Sequence, residues 1–126
     1  MESSNKIEIF VFGSNLAGRH GAGAAKDAIE KYGAIYGVGE GKQGNSYAIP
    51  TKDYNLKTLS LDRIKNHVAT FHTYAEQNPE YVFRVTRVGC GLAGYKDEDI
   101  APLFKYSSHN VILPEQWVIL NETSVD

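Results

Sequence analysis

Cysteine is nearly absent from this chain: Cys90 is the only one in 126 residues, so no intrachain disulfide can form. The four histidines, at 20, 67, 72 and 109, lack the spacing of a zinc site, and neither a metal nor a cofactor is expected. Long apolar runs are missing as well. Stretches such as Ile9 to Phe12 and Val111 to Leu113 fall far short of the roughly 20 residues that a membrane span requires, so no membrane partner is expected. Residues 1 to 6, Met-Glu-Ser-Ser-Asn-Lys, are polar, and the strand after them breaks at Gly13 and Ser14. That pattern fits neither a signal peptide nor a transit peptide, and a cytoplasmic setting is expected. Charge of one sign is not in excess: 13 Lys and Arg face 15 Asp and Glu, for a net charge of -2. No global field therefore draws the molecule onto a phosphate backbone, and any nucleic-acid contact must be local. Repeats, low-complexity tracts and Pro-rich linkers are also lacking. What remains is one domain spanning residues 1–126, with frayed tails expected at 1–6 and 121–126.

The chain alternates strand and helix. Ile7 to Phe12 is β-branched and aromatic, ends at Gly13, and reads as a largely buried first strand. From Ala24, the apolar positions Ala25, Ala28, Ile29 and Tyr32 recur at helical spacing, with Gly33 as the stop. Five glycines between 33 and 44 predict a surface loop too flexible to form an element, and Asn45 to Ile49 then resumes strand character. Ser60 can cap a helix whose Leu61, Ile64, Val68, Phe71 and Ala75 line one face, with Asp62 in its first turn and Pro79 just past its end. Tyr81 to Val88 reads as a strand, Asp97 to Phe104 as a short helix, and Val111–Leu113 and Trp117–Leu120 as closing strands. Such alternation predicts an α/β fold: a mixed, mostly parallel sheet with helices on both faces, whose ligands bind at the carboxyl ends of the strands.

Three segments fall at that edge. Gly13-Ser14-Asn15-Leu16-Ala17-Gly18-Arg19-His20-Gly21-Ala22-Gly23-Ala24 runs from a strand into a helix N-terminus, where small residues allow close backbone approach and free N–H groups favour an anion. Glycines in such turns also serve tight packing alone, so the pattern admits both readings. Gly89-Cys90-Gly91-Leu92-Ala93-Gly94-Tyr95 is a second glycine loop, able with the first to clamp a diphosphate. No Lys, Arg or His adjoins Cys90 in sequence, so it is read as a packing thiol rather than a nucleophile. Between the two loops, Ile49-Pro50-Thr51-Lys52-Asp53 ends a strand with a lysine. A lysine attacks carbonyl-like carbons when burial or a positive neighbour favours its free amine, whereas a carboxylate such as Asp53 opposes this. Burial against Tyr47 and Tyr54, or the charge of Arg19, would supply that environment if Asp53 points away.

In series, these segments resemble the macrodomain superfamily, in particular the branch holding the terminal ADP-ribose protein glycohydrolase and the antitoxin glycohydrolases that remove ADP-ribose from DNA. Arg19-His20-Gly21-Ala22-Gly23-Ala24-Ala25 is similar to that branch's Arg-x-Gly-Ala-Gly-x-Ala loop, Ile49-Pro50-Thr51-Lys52 to its Pro-Thr-Lys or Ile-Thr-Lys strand end, and Val88-Gly89-Cys90-Gly91 to its Gly-Cys-Gly loop. Protein-directed members carry an aspartate where this chain has Leu92-Ala93-Gly94, so the DNA-directed members are the closer match. The usual start of the family, a strand followed by Gly-Asp with an adenine-binding aspartate, is not visible upstream of Ile7.

The resemblance implies a macrodomain-like three-layer sandwich that binds ADP-ribose or an ADP-ribosyl group on DNA or protein. Ligand contacts would come from Gly13, Ser14, Asn15, Arg19, Gly21 to Ala24, Thr51 and Gly89 to Tyr95. As a hydrolase, the chain would use Lys52 to attack the anomeric carbon of the distal ribose, with Asn15 or His20 positioning that sugar. Two other readings stand beside this one: a non-catalytic ADP-ribose or nucleotide-binding module, and a Rossmann-like protein that binds free nucleotides.

Overall fold

A computed structural model describes residues 6–123. Its strands are β1 (Ile7–Asn15), β2 (Gly41–Gln43), β3 (Ser46–Lys52), β4 (Tyr81–Val85) and β5 (Val111–Ile112), joined in one sheet in the order β2-β3-β1-β4-β5. All neighbours are parallel except β2, which runs antiparallel to β3. Among the described residues four α-helices complete the fold: α1 (Gly23–Lys31), α2 (Leu61–Gln77), α3 (Asp97–Ile100) and α4 (Glu115–Thr123). A 3₁₀ turn, Ala101–Phe104, continues α3. The chain is thus an α/β domain with a mixed, mostly parallel sheet, and no described helix is long and apolar enough to cross a membrane.

Side chains of β1 are buried on both faces of the sheet, which is why its sequence reads as a continuous apolar run. Phe12, with Ala48 from β3, packs against Ala25 and Ala28 of α1 on one face. Ile9 and Val11 join Tyr47, Ile49, Phe83 and the α2 residues Ile64, Val68, Phe71 and Ala75 on the other, where Phe104 and Trp117 close the core. The Ser60 side chain accepts the N–H of Arg63 and caps α2 as the sequence predicts. Phe71 meets Tyr47 and Phe83 edge-on at the centre of this core, so Phe71→Ala is expected to cost about 3–5 kcal/mol, measurable by denaturant unfolding.

The winding positions the site. From β1 the chain passes through α1 to β3 on one side, then crosses back through α2 to β4 on the other, so the direction of strand addition reverses beside β1. Such a reversal leaves a crevice at the carboxyl ends of the strands, between the loops that leave β1 and β4.

Four expectations need correction. Trp117–Leu120 is not a strand but part of α4: the Pro114 carbonyl accepts the Trp117 and Val118 N–H groups and starts a helix that buries the Trp117 ring against Phe104. Residues 121–123 belong to that helix rather than to a tail, while 1–5 and 124–126 lie outside the described residues. β4 ends at Val85, because the N–H and hydroxyl of Thr86 both turn onto the Val11 carbonyl. The 33–44 segment lies largely at the surface as expected, but it contains β2 and its backbone is tied to the loop after β1. The Gly37 N–H donates to the Gly18 carbonyl (2.8 Å), the Ser14 hydroxyl donates to the Gly39 carbonyl, and the Gln43 amide bridges Val38 and Ile35. Its glycines permit backbone to lie on backbone, which composition alone mimics as flexibility.

Candidate functional site

A cavity of about 630 Å³ occupies the crevice, a size suited to a small-molecule ligand. Its first wall is the loop from β1 to α1. A register shift at Ser14/Asn15 turns the end of β1, and the Leu16 N–H donates to the Lys52 carbonyl. The Asn15 side chain then closes the loop, donating to the Arg19 carbonyl (3.0 Å) and accepting the Arg19 N–H (2.9 Å). At the start of α1, Ala22 offers no side-chain cap, and the first helical bond runs from the Lys26 N–H to the Ala22 carbonyl. The N–H groups of Gly23, Ala24 and Ala25 therefore have no acceptor within the helix, and all three residues line the cavity.

The second wall is the loop after β4. Gly89 takes a φ of 81°, its carbonyl accepts the Tyr95 N–H, and the Gly94 N–H closes a turn onto Gly91. The third wall is the end of β3. The Asp53 carboxylate accepts the Asn55 and Lys57 N–H groups at 2.8 and 3.0 Å, bending the chain so that Leu56 adopts a φ of 64° beside the cavity. Those hydrogen bonds, led by that from Lys57, hold the Asp53 carboxyl below its ordinary range, and they direct its charge into the turn. The Thr58 hydroxyl donates to the Ala93 carbonyl at 2.9 Å and fastens the third wall to the second.

The cavity gathers Gly13, Ser14, Asn15, Arg19, Gly21, Ala22, Gly23, Ala24, Thr51, Lys52, Gly89, Cys90, Gly91, Leu92 and Ala93, all expected from sequence although they come from three distant segments. It does not gather His20, Gly94 or Tyr95. His20 is only 2% exposed; its Nε2 donates to the Val38 carbonyl and its ring stands edge-on to Phe12, so it braces the loop from beneath. Tyr95 points into the core, with its hydroxyl on the Leu59 carbonyl, and Gly94 serves the turn. Nor does Tyr47 shield Lys52: it lies at the far end of β3, packed against Phe71 and Tyr74, where burial pushes its phenol up to about 12. Tyr54 is exposed, whereas Arg19 does share the cavity with Lys52.

Leu56, Thr86, Arg87 and Val88 line the cavity without having been expected there. For Arg87 a signal was present: a cation at the end of a strand, immediately before a glycine loop. With Arg19 and Lys52 it makes three cationic residues around the cavity, and no Asp or Glu lines it among the described residues.

Asp97 stands just behind this wall. Its carboxylate accepts Nε and Nη2 of Arg87 (2.9 and 2.8 Å) and the indole N–H of Trp117 (2.7 Å). The Arg87 guanidinium, followed by the Trp117 donor, holds the Asp97 carboxyl down at about 2. Cys90 also bonds to Asp97; its burial, and then the carboxylate charge, push the thiol up to about 12, so it stays protonated at neutral pH. It is the packing thiol that the sequence suggested.

The lowered Asp97 carboxyl has a consequence for acid stability. An acid ionised more readily in the folded than in the unfolded chain stabilises the fold above its unfolded value of 3.8, and this contribution fades as pH falls toward about 2. Screening at this partly exposed site reduces the contribution to about 1–2 kcal/mol. Thermal melts of the parent chain should therefore lose stability more steeply between pH 4 and pH 2 than those of Asp97→Asn.

Gly21, Gly23 and Gly91 of the cavity lining have open space where a Cβ would stand, unlike Gly13 and Gly89. A Cβ at Gly91 would meet nothing within 4 Å, and its φ is not in the left-handed region. Gly91→Val should leave the melting temperature within a degree or two while weakening ligand binding at least about tenfold, ~1.4 kcal/mol, by calorimetry. Gly23 is also open, but its φ of 59° would add strain to any substitution.

In comparisons with protein-family models, curated proteins and solved structures, the chain matches none.

Proposed function

We propose that this cavity binds ADP-ribose or an ADP-ribosyl group, that the domain is a macrodomain-like sandwich, and that it hydrolyses the link between ADP-ribose and a nucleic-acid base or protein side chain. One observation carries the reading: a glycine-walled crevice at the strand reversal, lined by Arg19, Lys52 and the Asp97-paired Arg87 and by no carboxylate among the described residues, with the first residues of α1, whose N–H groups have no acceptor within the helix, in its wall. A diphosphate needs donors and positive charge without a competing anion, and its flanking sugars need walls that backbone can approach. Lys52 is the nucleophile in this scheme. Its free amine attacks the anomeric carbon of the distal ribose, and the bond to the modified group breaks with its electron pair leaving on that group, which takes up the proton the amine loses. The ribose ring then opens to a Schiff base with the lysine, and water adds to that imine to release ADP-ribose and restore the amine. Asn15, already held by Arg19, supports the wall against which the ribose rests.

Absence of a lining carboxylate also favours a second reading, a module that holds ADP-ribose without turnover, because no acidic side chain stands ready for proton transfer among the described residues. Incubation with ADP-ribosylated DNA oligonucleotides and ADP-ribosylated protein separates the two. Release of ADP-ribose, with DNA the better substrate, is expected of the enzyme. Tight binding without release would establish the module instead, and AMP or NAD binding as well as ADP-ribose would favour a general nucleotide site.

A further inference from the structure

The scheme above counts Arg87 only as one of three cations and gives Asp97 no role, yet the two form a two-pronged ion pair at the cavity wall. The Arg87 side chain is 49% exposed and lines the cavity, but it is not free to swing. Nε and Nη2 form a two-pronged contact with the Asp97 carboxylate. That carboxylate is itself anchored from behind by Nε1 of Trp117, which is 0% exposed in the core. The guanidinium thus reaches the cavity on a mount rooted in α3 and α4, with Nη1 and one Nη2 proton unspent by Asp97.

We propose that Arg87 is an anion-orienting residue of the cavity, contacting a phosphate oxygen of the bound ligand, and that Asp97 is its positioning residue. This rests on the ADP-ribose reading and extends it. The wall formed by α1 offers backbone N–H groups, the wall after β4 offers Arg87, and a ligand with two linked phosphates can engage both. Because the mount has already fixed the arginine rotamer, binding does not have to order that side chain, which is the usual entropic cost of recruiting an arginine.

The sign of one substitution distinguishes positioning from simple charge. Asp97→Asn removes a negative charge near an anion site and so should tighten binding if Asp97 acted only through its field. It retains an oxygen to accept the Trp117 N–H but gives up the two-pronged hold on Arg87. The experiment titrates ADP-ribose into the parent chain, Arg87→Ala, Arg87→Lys and Asp97→Asn at several salt concentrations, with circular dichroism to check that each variant is folded. Arg87→Ala is expected to bind about tenfold more weakly and with a shallower salt dependence, and Arg87→Lys to recover the salt dependence but only part of the affinity. Asp97→Asn is expected to bind more weakly, although the net positive charge it adds makes the salt dependence steeper than the parent's. If the parent binds and Arg87→Ala matches it in affinity and salt dependence, or Asp97→Asn binds more tightly, the assignment of these two residues is overturned and the cavity reading stands. If the folded parent does not bind ADP-ribose at all, both fall.

Discussion

Lys52→Ala is expected to lower the release of ADP-ribose from modified DNA by at least about a hundredfold while leaving ADP-ribose affinity within a few-fold of the parent. The split between rate and affinity follows from what the residue touches. Lys52 ends β3 and lines the cavity with Thr51 and the Gly89–Ala93 loop, whereas the donors proposed for the phosphates belong to α1 and Arg87. Removing the amine removes the attacking atom and only one of three cations. Lys52→Arg keeps the charge but offers no nucleophilic nitrogen, so it should bind like the parent and turn over like Lys52→Ala. Because attack needs the unprotonated amine, the single-turnover rate should rise with pH, and borohydride added during turnover should trap a lysyl adduct that Lys52→Ala cannot form. Full activity of Lys52→Ala would remove the covalent scheme.

Gly39→Ala is expected to cost about 3 kcal/mol or more of stability, with the melting temperature lowered by about 10 °C or more. A Cβ at this position would collide with the Asn15 carbonyl oxygen and lie 2.7 Å from that of Leu16. Both obstacles are backbone, in the loop whose shape makes the first wall of the cavity, and neither can rotate aside. Gly18→Ala should behave similarly, since its added Cβ meets the backbone of Gly37 and Val38 and its φ of 71° already disfavours a side chain. Gly21→Ala is the control: its Cβ would meet nothing within 4 Å, its φ is not left-handed, and its melt should superimpose on the parent's. Equal stability of Gly39→Ala and Gly21→Ala would mean that the 33–44 segment does not clamp the loop.

These glycines also mark where sequence reading succeeded and where it failed. Periodicity identified α2, its Ser60 cap and its buried face, because a long amphipathic helix repeats one signal many times. Strand ends followed by glycine loops were sufficient to bring Asn15, Lys52 and Gly91 to one cavity, since in a parallel sheet all such loops emerge on the same edge. By contrast, Trp117–Leu120 offered only four apolar residues, too few for strand and helix periods to differ, and the choice was made by Pro114 and by the fit of Trp117 against Phe104. The glycines of 33–44 were misjudged because composition reports what a backbone can do, whereas Gly33 and Gly44 lie against each other and Gly39 against Asn15 and Leu16. His20, expected from its place in the loop to position the distal ribose, is instead buried, with its Nε2 on the Val38 carbonyl. Asp97 was read only as the start of a short helix, since its partners Arg87 and Trp117 are separated from it by 10 and 20 residues and leave no local pattern.

The most direct test of the central claim, that the crevice is an ADP-ribose site, is an amide ¹H–¹⁵N titration of the parent chain with ADP-ribose. Saturable shifts are expected at Gly23, Ala24 and Ala25 of α1 and at Gly89 to Ala93, with little change at β2 or along the exposed face of α2. An unchanged spectrum at millimolar ADP-ribose, or shifts confined to residues outside the cavity, would contradict it.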